Sequence, residues 1–211
     1  MEAATATTRP GPGRPSSGAR ERILDGCLEV LKDHGYAGLS IAKVAAASGE
    51  SKALVSYHFG SKDGLLAAAG RELGEEITRE VLDGLEGANT VEGIVSGAAG
   101  ALWKLIERDE RLPRVYFDLN AVSVVDAGVR DVLREIKSAW RDVLSRYLCE
   151  AERPVASEEV GAMTTLIIAG LEGLTLERIE RGETPELSQA REMFVRSVCA
   201  VAEALPVTTR R

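Results

Sequence analysis

The chain has 211 residues, with 26 Lys+Arg against 33 Asp+Glu for a formal net charge of -7, and three cysteines. That length buries a real core without cross-links, and the wide, odd spacing of Cys27, Cys149 and Cys199 among apolar neighbours excludes a disulfide framework or a zinc site. The acidity argues against a protein that coats nucleic acid along its whole length, yet it is uneven: residues 1–63 carry eight Lys+Arg against seven Asp+Glu, and residues 64–211 carry eighteen against twenty-six.

Reduced, buried thiols and a cytoplasmic location are expected from the cysteine usage. No signal-like apolar segment opens the chain. The longest apolar run, Leu166 to Leu171, ends at Glu172 well short of a membrane span, so no membrane partner is expected.

Residues 1–18, MEAATATTRPGPGRPSSG, have the composition of a disordered arm. Everything after them reads helical. Ile23, Cys27, Val30 and Leu31 recur at helical spacing, and Gly35 stands where a first helix of about fifteen residues would end. Ser40 is placed to cap the short run IAKVAAAS, which Gly49 closes, and a third helix fits Ser51 to Phe59. A long helix follows the GSKD turn. Asn89 with Glu92 three residues on resembles a capping box for VEGIVSGAAGALWKLIERDE. Pro113 marks a break, Val115 to Val125 suits a further helix, and Asp126 can cap DAGVRDVLREIKSAWRDVLSRYL. Pro154 and Ser157 open another helix, and Pro185 the last. The fold class is therefore all-α, with roughly nine helices and no strand signal of period two.

The segment IAKVAAASGESKALVSYHF has helix-turn-helix spacing. Ala45 falls at the close crossing of the two helices, Gly49 makes the turn, and Val44 and Val55 are the expected buried contacts. The second helix would present Ser51, Lys52, Ala53, Leu54 and Ser56 to a major groove, with Lys52 reaching a phosphate or a guanine and Leu54 a thymine methyl. Tyr57, His58 and Lys62 follow, where hydroxyl, imidazole and ammonium suit phosphates. Packed aromatics are the plainer reading of Tyr57, His58 and Phe59.

Residues 20–66, above all GYAGLSIAKVAAASGESKALVSYHFGSKDGLL, resemble the DNA-binding domain of TetR-family regulators. Gly35, Tyr36, Ala45, Gly49, Ser51, Lys52, Tyr57, His58, Phe59, Ser61 and Lys62 stand where that family's motif has such residues. The resemblance implies that Ser40, Lys43, Tyr57, His58 and Lys62 hold phosphates. Three positions depart from it: Glu50 replaces an apolar residue after the turn, Ala53 a frequent Gly, and Ser56 a frequent Tyr. The first bears on packing at the turn, the others on which bases are read. Arg9, Arg14, Arg20 and Arg22 around PGRP could place the arm in a minor groove, or the arm is simply a solvated tail.

For the rest of the chain the resemblance implies a ligand-binding and dimerisation domain, giving an arm (1–18), a DNA-binding domain (19–66) and an effector domain (67–211). FDLNAVSVVDAGVRDVLREIKSAWRDVLSRYL and IIAGLEGLTLERIERG bear a fainter resemblance to the betaine-regulator branch. The expected partners are a double-stranded DNA operator, a small-molecule effector that the sequence does not identify, and a second copy of the chain, joined through the last two long helices. Met163, Ile167, Leu171, Leu174 and Ile179, with Met193, Val195, Val198, Cys199, Ala202 and Leu205, supply either that seam or the core of one subunit. Trp103, Tyr116, Phe117, Asn120 and Trp140 are the candidate pocket residues, core packing being the alternative for each. Glu172, alone in an apolar run, would meet a cationic ligand or face the dimer seam.

The mechanism so implied is a two-state shift. Recognition helices about 34 Å apart fit a palindrome, and a ligand that swings the helix after the GSKD turn spoils that spacing. A hundredfold release requires about 2.7 kcal/mol of coupling. No cofactor is expected. The residues of an enzyme are missing, since the sequence has no nucleophile elbow, phosphate loop or metal-ligand cluster, and His34 and His58 are its only histidines. The remaining rival is a helical protein-interaction module that uses the fold without DNA.

Overall fold

Short polar side chains set most helix starts in the computed structural model, which describes residues 18–205. Among these residues there are nine helices and no strands: α1 (Ala19–Gly38), α2 (Ile41–Ser48), α3 (Lys52–Phe59), α4 (Lys62–Gly84), α5 (Val91–Arg108), α6 (Arg111–Ser123), α7 (Ala127–Glu150), α8 (Ser157–Arg181) and α9 (Pro185–Ala204). The hydroxyls of Ser40, Ser51, Ser61, Thr90 and Thr184 and the carboxylate of Asp126 each accept from the backbone N–H three residues on, satisfying donors that the helix leaves unpaired. The arm and its arginines Arg9 and Arg14 lie outside the described residues.

Several sequence expectations need correction. Thr90, not Asn89, caps α5; the Asn89 amide instead donates to Glu152 at 2.7 Å, tying the start of α5 to the α7–α8 connection. Pro113 does not break the chain. It lies in the first turn of α6, where its missing N–H costs nothing, and the break falls at Asp109 and Glu110. Ser157 does open α8 as expected, with no side-chain cap before it. The first helix kinks at Gly35, whose φ of 63° favours glycine, and then resumes as far as Gly38. Of the cysteines only Cys27 is buried, its thiol pushed up to about 12 by burial; Cys199 is half-buried and Cys149 exposed.

The packing forms two cores. One unites α1–α3 with the first half of α4, α6 and the first half of α7, through Ile23, Val44, Val55, Leu65, Leu73, Leu119 and Leu133 among others. The other joins α5, α8, α9 and the second half of α7, around Ile94, Leu148, Ile167 and Val198. Val81, Leu102 and Trp140 pack against both. Helix α4 runs unbroken through residues 66 and 67, and Leu65, Leu66 and Ala69 share the core of α1–α3.

Helix α8 contains a stretch of mean hydropathy 1.3 and is long and apolar enough, by length and composition, to cross a membrane. Glu172 interrupts its apolar run. Here Met163, Ile167 and Leu171 are buried within the subunit, whereas Leu166, Ala169, Gly173 and Leu176 are exposed along another face.

Candidate nucleic-acid interface and internal cavity

The first three helices place a polar surface on a fully buried hinge. Val44 and Val55 are inaccessible to solvent, Ala45 is buried beside them, and Gly49 turns the chain with φ 71°. From this frame Lys43, Ser51, Lys52, Ala53, Ser56 and Tyr57 are exposed, and Tyr57 keeps 74% of its surface open. An aromatic so exposed is not packing a core. Leu54 and His58 are only half-exposed, and Leu54 packs against the core. The His58 Nε2 atom is buried without a hydrogen-bond partner, so any phosphate contact by this ring uses its other edge.

Two of the expected phosphate ligands also have intramolecular work. Ser40 caps α2 by accepting from the Lys43 N–H at 3.3 Å. The Lys62 ammonium sits 4.7 Å from the centre of the Tyr36 ring, a cation–π contact. Glu50, the departure after the turn, accepts from the Arg22 guanidinium at 2.6 and 3.0 Å. This pair binds the turn to α1 and neutralises the one acidic side chain between Ser40 and Lys62. The face is thereby left to the cations Lys43, Lys52 and Lys62, a local positive field on an acidic protein. Arg20 lies 5.6 Å from the centre of the Phe59 ring, so both Arg20 and Arg22 contact the helical frame.

An internal cavity of about 80 Å³ opens where the two cores meet. Its walls come from α4 (Ile77, Thr78, Val81), α5 (Leu102, Leu105, Ile106), α6 (Pro113, Tyr116, Phe117), α7 (Trp140, Val143, Leu144) and α8 (Ile168, Leu171, Glu172, Thr175). Of the six residues expected at a pocket, Tyr116, Phe117, Trp140 and Glu172 line it; Trp103 and Asn120 do not. Trp103 turns its indole N–H to Glu183 at 2.8 Å, beneath the Arg191 guanidinium. The Asn120 amide donates back to the Tyr116 carbonyl at 3.0 Å.

Polarity is confined to a few groups. Glu172 pairs with the Lys137 ammonium at 2.8 Å and accepts from the Tyr116 hydroxyl. Burial, then the adjacent Glu172 carboxylate, push the Tyr116 phenol well above its ordinary range. Trp140 donates from its indole to the Thr78 hydroxyl at 3.1 Å, which itself donates to the Gly74 carbonyl at 2.6 Å. Thr175 is 7% exposed and its hydroxyl has no partner. Thr78, Lys137 and Thr175 escaped the sequence reading. A threonine recurring within an otherwise apolar helical stripe was the available signal for the first and the last.

The cavity and the polar face share structure. Opposite its cavity-lining residues, α6 offers the Asp118 carboxylate, which accepts from the Tyr36 backbone N–H at the kink of α1. The Tyr36 hydroxyl donates to Asp126, the cap of α7, at 3.3 Å. Nearby, Lys32 pairs with Asp109 at 3.1 Å, and Arg111 pairs with Asp109 and Asp33 at 3.1 and 2.9 Å. Burial raises the Asp109 carboxyl, but hydrogen bonds from Arg111 and Lys32 prevail and hold it down to about 2.

Residues 23–69 match the family model described as bacterial regulatory proteins, tetR family. Over 83 residues the chain is 34% identical to the HTH-type transcriptional regulator BetI 1 of Chromohalobacter salexigens, a match covering 37% of this chain and 41% of that regulator. A longer match, 23% identical over 155 residues, covers 72% of this chain and 80% of the HTH-type nicotine-responsive transcriptional repressor HdnoR of Paenarthrobacter nicotinovorans. The fold resembles the crystal structure of a transcriptional regulator from Rhodococcus sp. Rha1, with a TM-score of 0.74 and 23% identity over 89% of this chain and 99% of that one. The helix-turn-helix frame, the polar face built on it and these likenesses agree: residues 23–69 of this chain are a helix-turn-helix domain of the TetR family of bacterial regulatory proteins.

Proposed function

We propose that this protein is a ligand-responsive repressor that binds a palindromic operator as a homodimer and leaves it when a small molecule fills the cavity between the two cores. The observation that carries the reading is the shared framework. Helices α4 and α6 line the cavity with Ile77, Thr78, Val81, Pro113, Tyr116 and Phe117, and they also hold the helix-turn-helix, α4 by direct continuation and α6 through Asp118. In this form the cavity, at about 80 Å³, is roughly half the volume of an engineered cavity that takes up benzene, about 150 Å³. A ligand of even one ring therefore displaces walls that bear on the DNA-reading face. Close packing turns such a displacement into a rearrangement of helices instead of local compression.

Function divides along the chain as DNA reading by residues 19–66 and effector binding with dimerisation by residues 67–211, in a cytoplasmic protein. The residues that touch DNA are Ser40, Lys43, Ser51, Lys52, Ala53, Leu54, Ser56, Tyr57, His58 and Lys62. For the dimer, the face left unpartnered on α8 and α9 supports a seam of Leu166, Ala169, Gly173, Leu176, Met193 and Val201. That seam is displaced from the residues first expected. Met163, Ile167, Leu171, Val198 and Ala202 are already buried inside one subunit.

Selection from a random duplex library by the purified protein tests the proposal. The expected product is a palindrome with half-sites about one helical turn apart, with L166R and M193R yielding monomers in sedimentation and losing that selection. No enrichment by a folded dimer would overturn it.

A further inference from the structure

The cavity also indicates what kind of molecule it takes, an inference that rests on reading the cavity as the effector site. Its one carboxylate, Glu172, is already matched by the Lys137 ammonium at 2.8 Å and by the Tyr116 hydroxyl. Lys137 lies 5.8 Å from the centre of the Tyr116 ring, so charge, counter-charge and phenol form one closed set. The further charge acting on Tyr116 belongs to Arg141, which is exposed on α7 and screened by water. A charged ligand would enter an apolar enclosure with no counter-charge left over, or would have to break the existing pair and strand one member of it.

Thr175 is different. Its hydroxyl lies in the cavity wall, one turn beyond Glu172 on α8, and it is 7% exposed and without a partner. The Thr78 hydroxyl is spoken for, by Gly74 and by the indole of Trp140. A buried hydroxyl left unpaired costs free energy that a suitable ligand recovers. We propose that the effector is an uncharged, largely apolar molecule, aromatic or alicyclic, with one hydrogen-bonding group that engages Thr175 while its apolar body lies against Trp140, Phe117 and Leu102.

Four probes of similar shape test this on the full chain: benzyl alcohol, toluene, benzylammonium and benzoate. The two tryptophans give two indole N–H resonances, and the one lost in W140F reports the cavity. Benzyl alcohol is expected to move the Trp140 resonance and to bind about tenfold more tightly than either ion. T175V should weaken benzyl alcohol severalfold, about the loss of one hydrogen bond, and leave toluene unchanged. That contrast separates a lost contact from a damaged fold. Tighter binding of benzylammonium or benzoate, or equal losses for benzyl alcohol and toluene in T175V, would overturn the assignment of ligand class while sparing the effector site. If no probe at millimolar concentration moves the Trp140 resonance while W140F and wild type unfold alike, the effector-site reading fails, and this inference with it.

Discussion

The proposed DNA-reading face and the proposed effector cavity are built in opposite ways. The face rests on contacts between near neighbours: Ser40 on the Lys43 N–H, Ser51 on the Leu54 N–H, Gly49 at the turn, and Val44 against Val55 beneath. The cavity draws its walls from five helices, from Ile77 on α4 to Thr175 on α8, and none of its shape follows from local rules. A locally braced unit keeps its geometry when moved as a body. A cavity assembled from distant elements yields when something enters it. The first property suits a reader of DNA and the second a sensor, and α4 and α6 lie between them.

The contrast would break first if the two regions unfolded independently. Because Leu65 lies in the core shared by α1–α3, α4, α6 and α7, L65A is expected to cost about 2–5 kcal/mol and to lower a single denaturation transition seen alike by tryptophan fluorescence and by circular dichroism. Two separated transitions would show that the face has a stability of its own.

A smaller effect, about 1.5–3 kcal/mol for a hydrogen bond to a charged acceptor, is expected from D118A, which frees the Tyr36 N–H. Its signature is in coupling. Cavity binding of benzyl alcohol, read at the Trp140 indole, should stay within about twofold of wild type, while the shift in operator affinity that saturating ligand produces should shrink. Unchanged coupling would shift the transmission to α4 alone.

Acid probes the joint between α1 and α6. The Asp109 carboxyl is held down to about 2 in the folded protein, from an ordinary 3.8. Its contribution is thus fully present above pH 4 and lost as the pH falls from 4 towards 2. After discount for solvent screening it is on the order of 1 kcal/mol. D109N should flatten the stability profile over that window, and an unaltered profile would place the acid sensitivity elsewhere. The smallest effect is expected from E50Q, which weakens the pair with Arg22: about 0.5 kcal/mol, reduced further by salt.

Legibility in the sequence followed the same division. The helix-turn-helix was readable because caps, the turn glycine and buried valines act within a few residues of one another. Even there, Glu50 looked like a departure until Arg22, a whole helix away, was seen to answer it. In the body, helical periodicity located α4 to α9 but not their rotations. Tyr116, Phe117, Trp140 and Glu172 line one cavity, whereas Trp103 points to Glu183. Thr175 and Lys137 become meaningful only once α7 and α8 are packed. The exposed apolar face of α8, with Leu166, Ala169, Gly173 and Leu176, is not the set first expected at a seam, since a helix apolar on two faces does not announce which face the core keeps for itself.

The central claim is that the exposed residues of α2 and α3 bind DNA through its phosphates. Its most direct test is the salt dependence of operator affinity for wild type and for the K52A/Y57A double variant, whose side chains are exposed. Wild-type affinity should fall steeply with salt, with a log–log slope of about -0.9 per phosphate neutralised. The double variant should bind at least tenfold more weakly, by about 1.4 kcal/mol, with a shallower slope and an unchanged melting temperature. Equal affinity and slope for the two proteins would contradict the account and assign this face to a partner other than DNA.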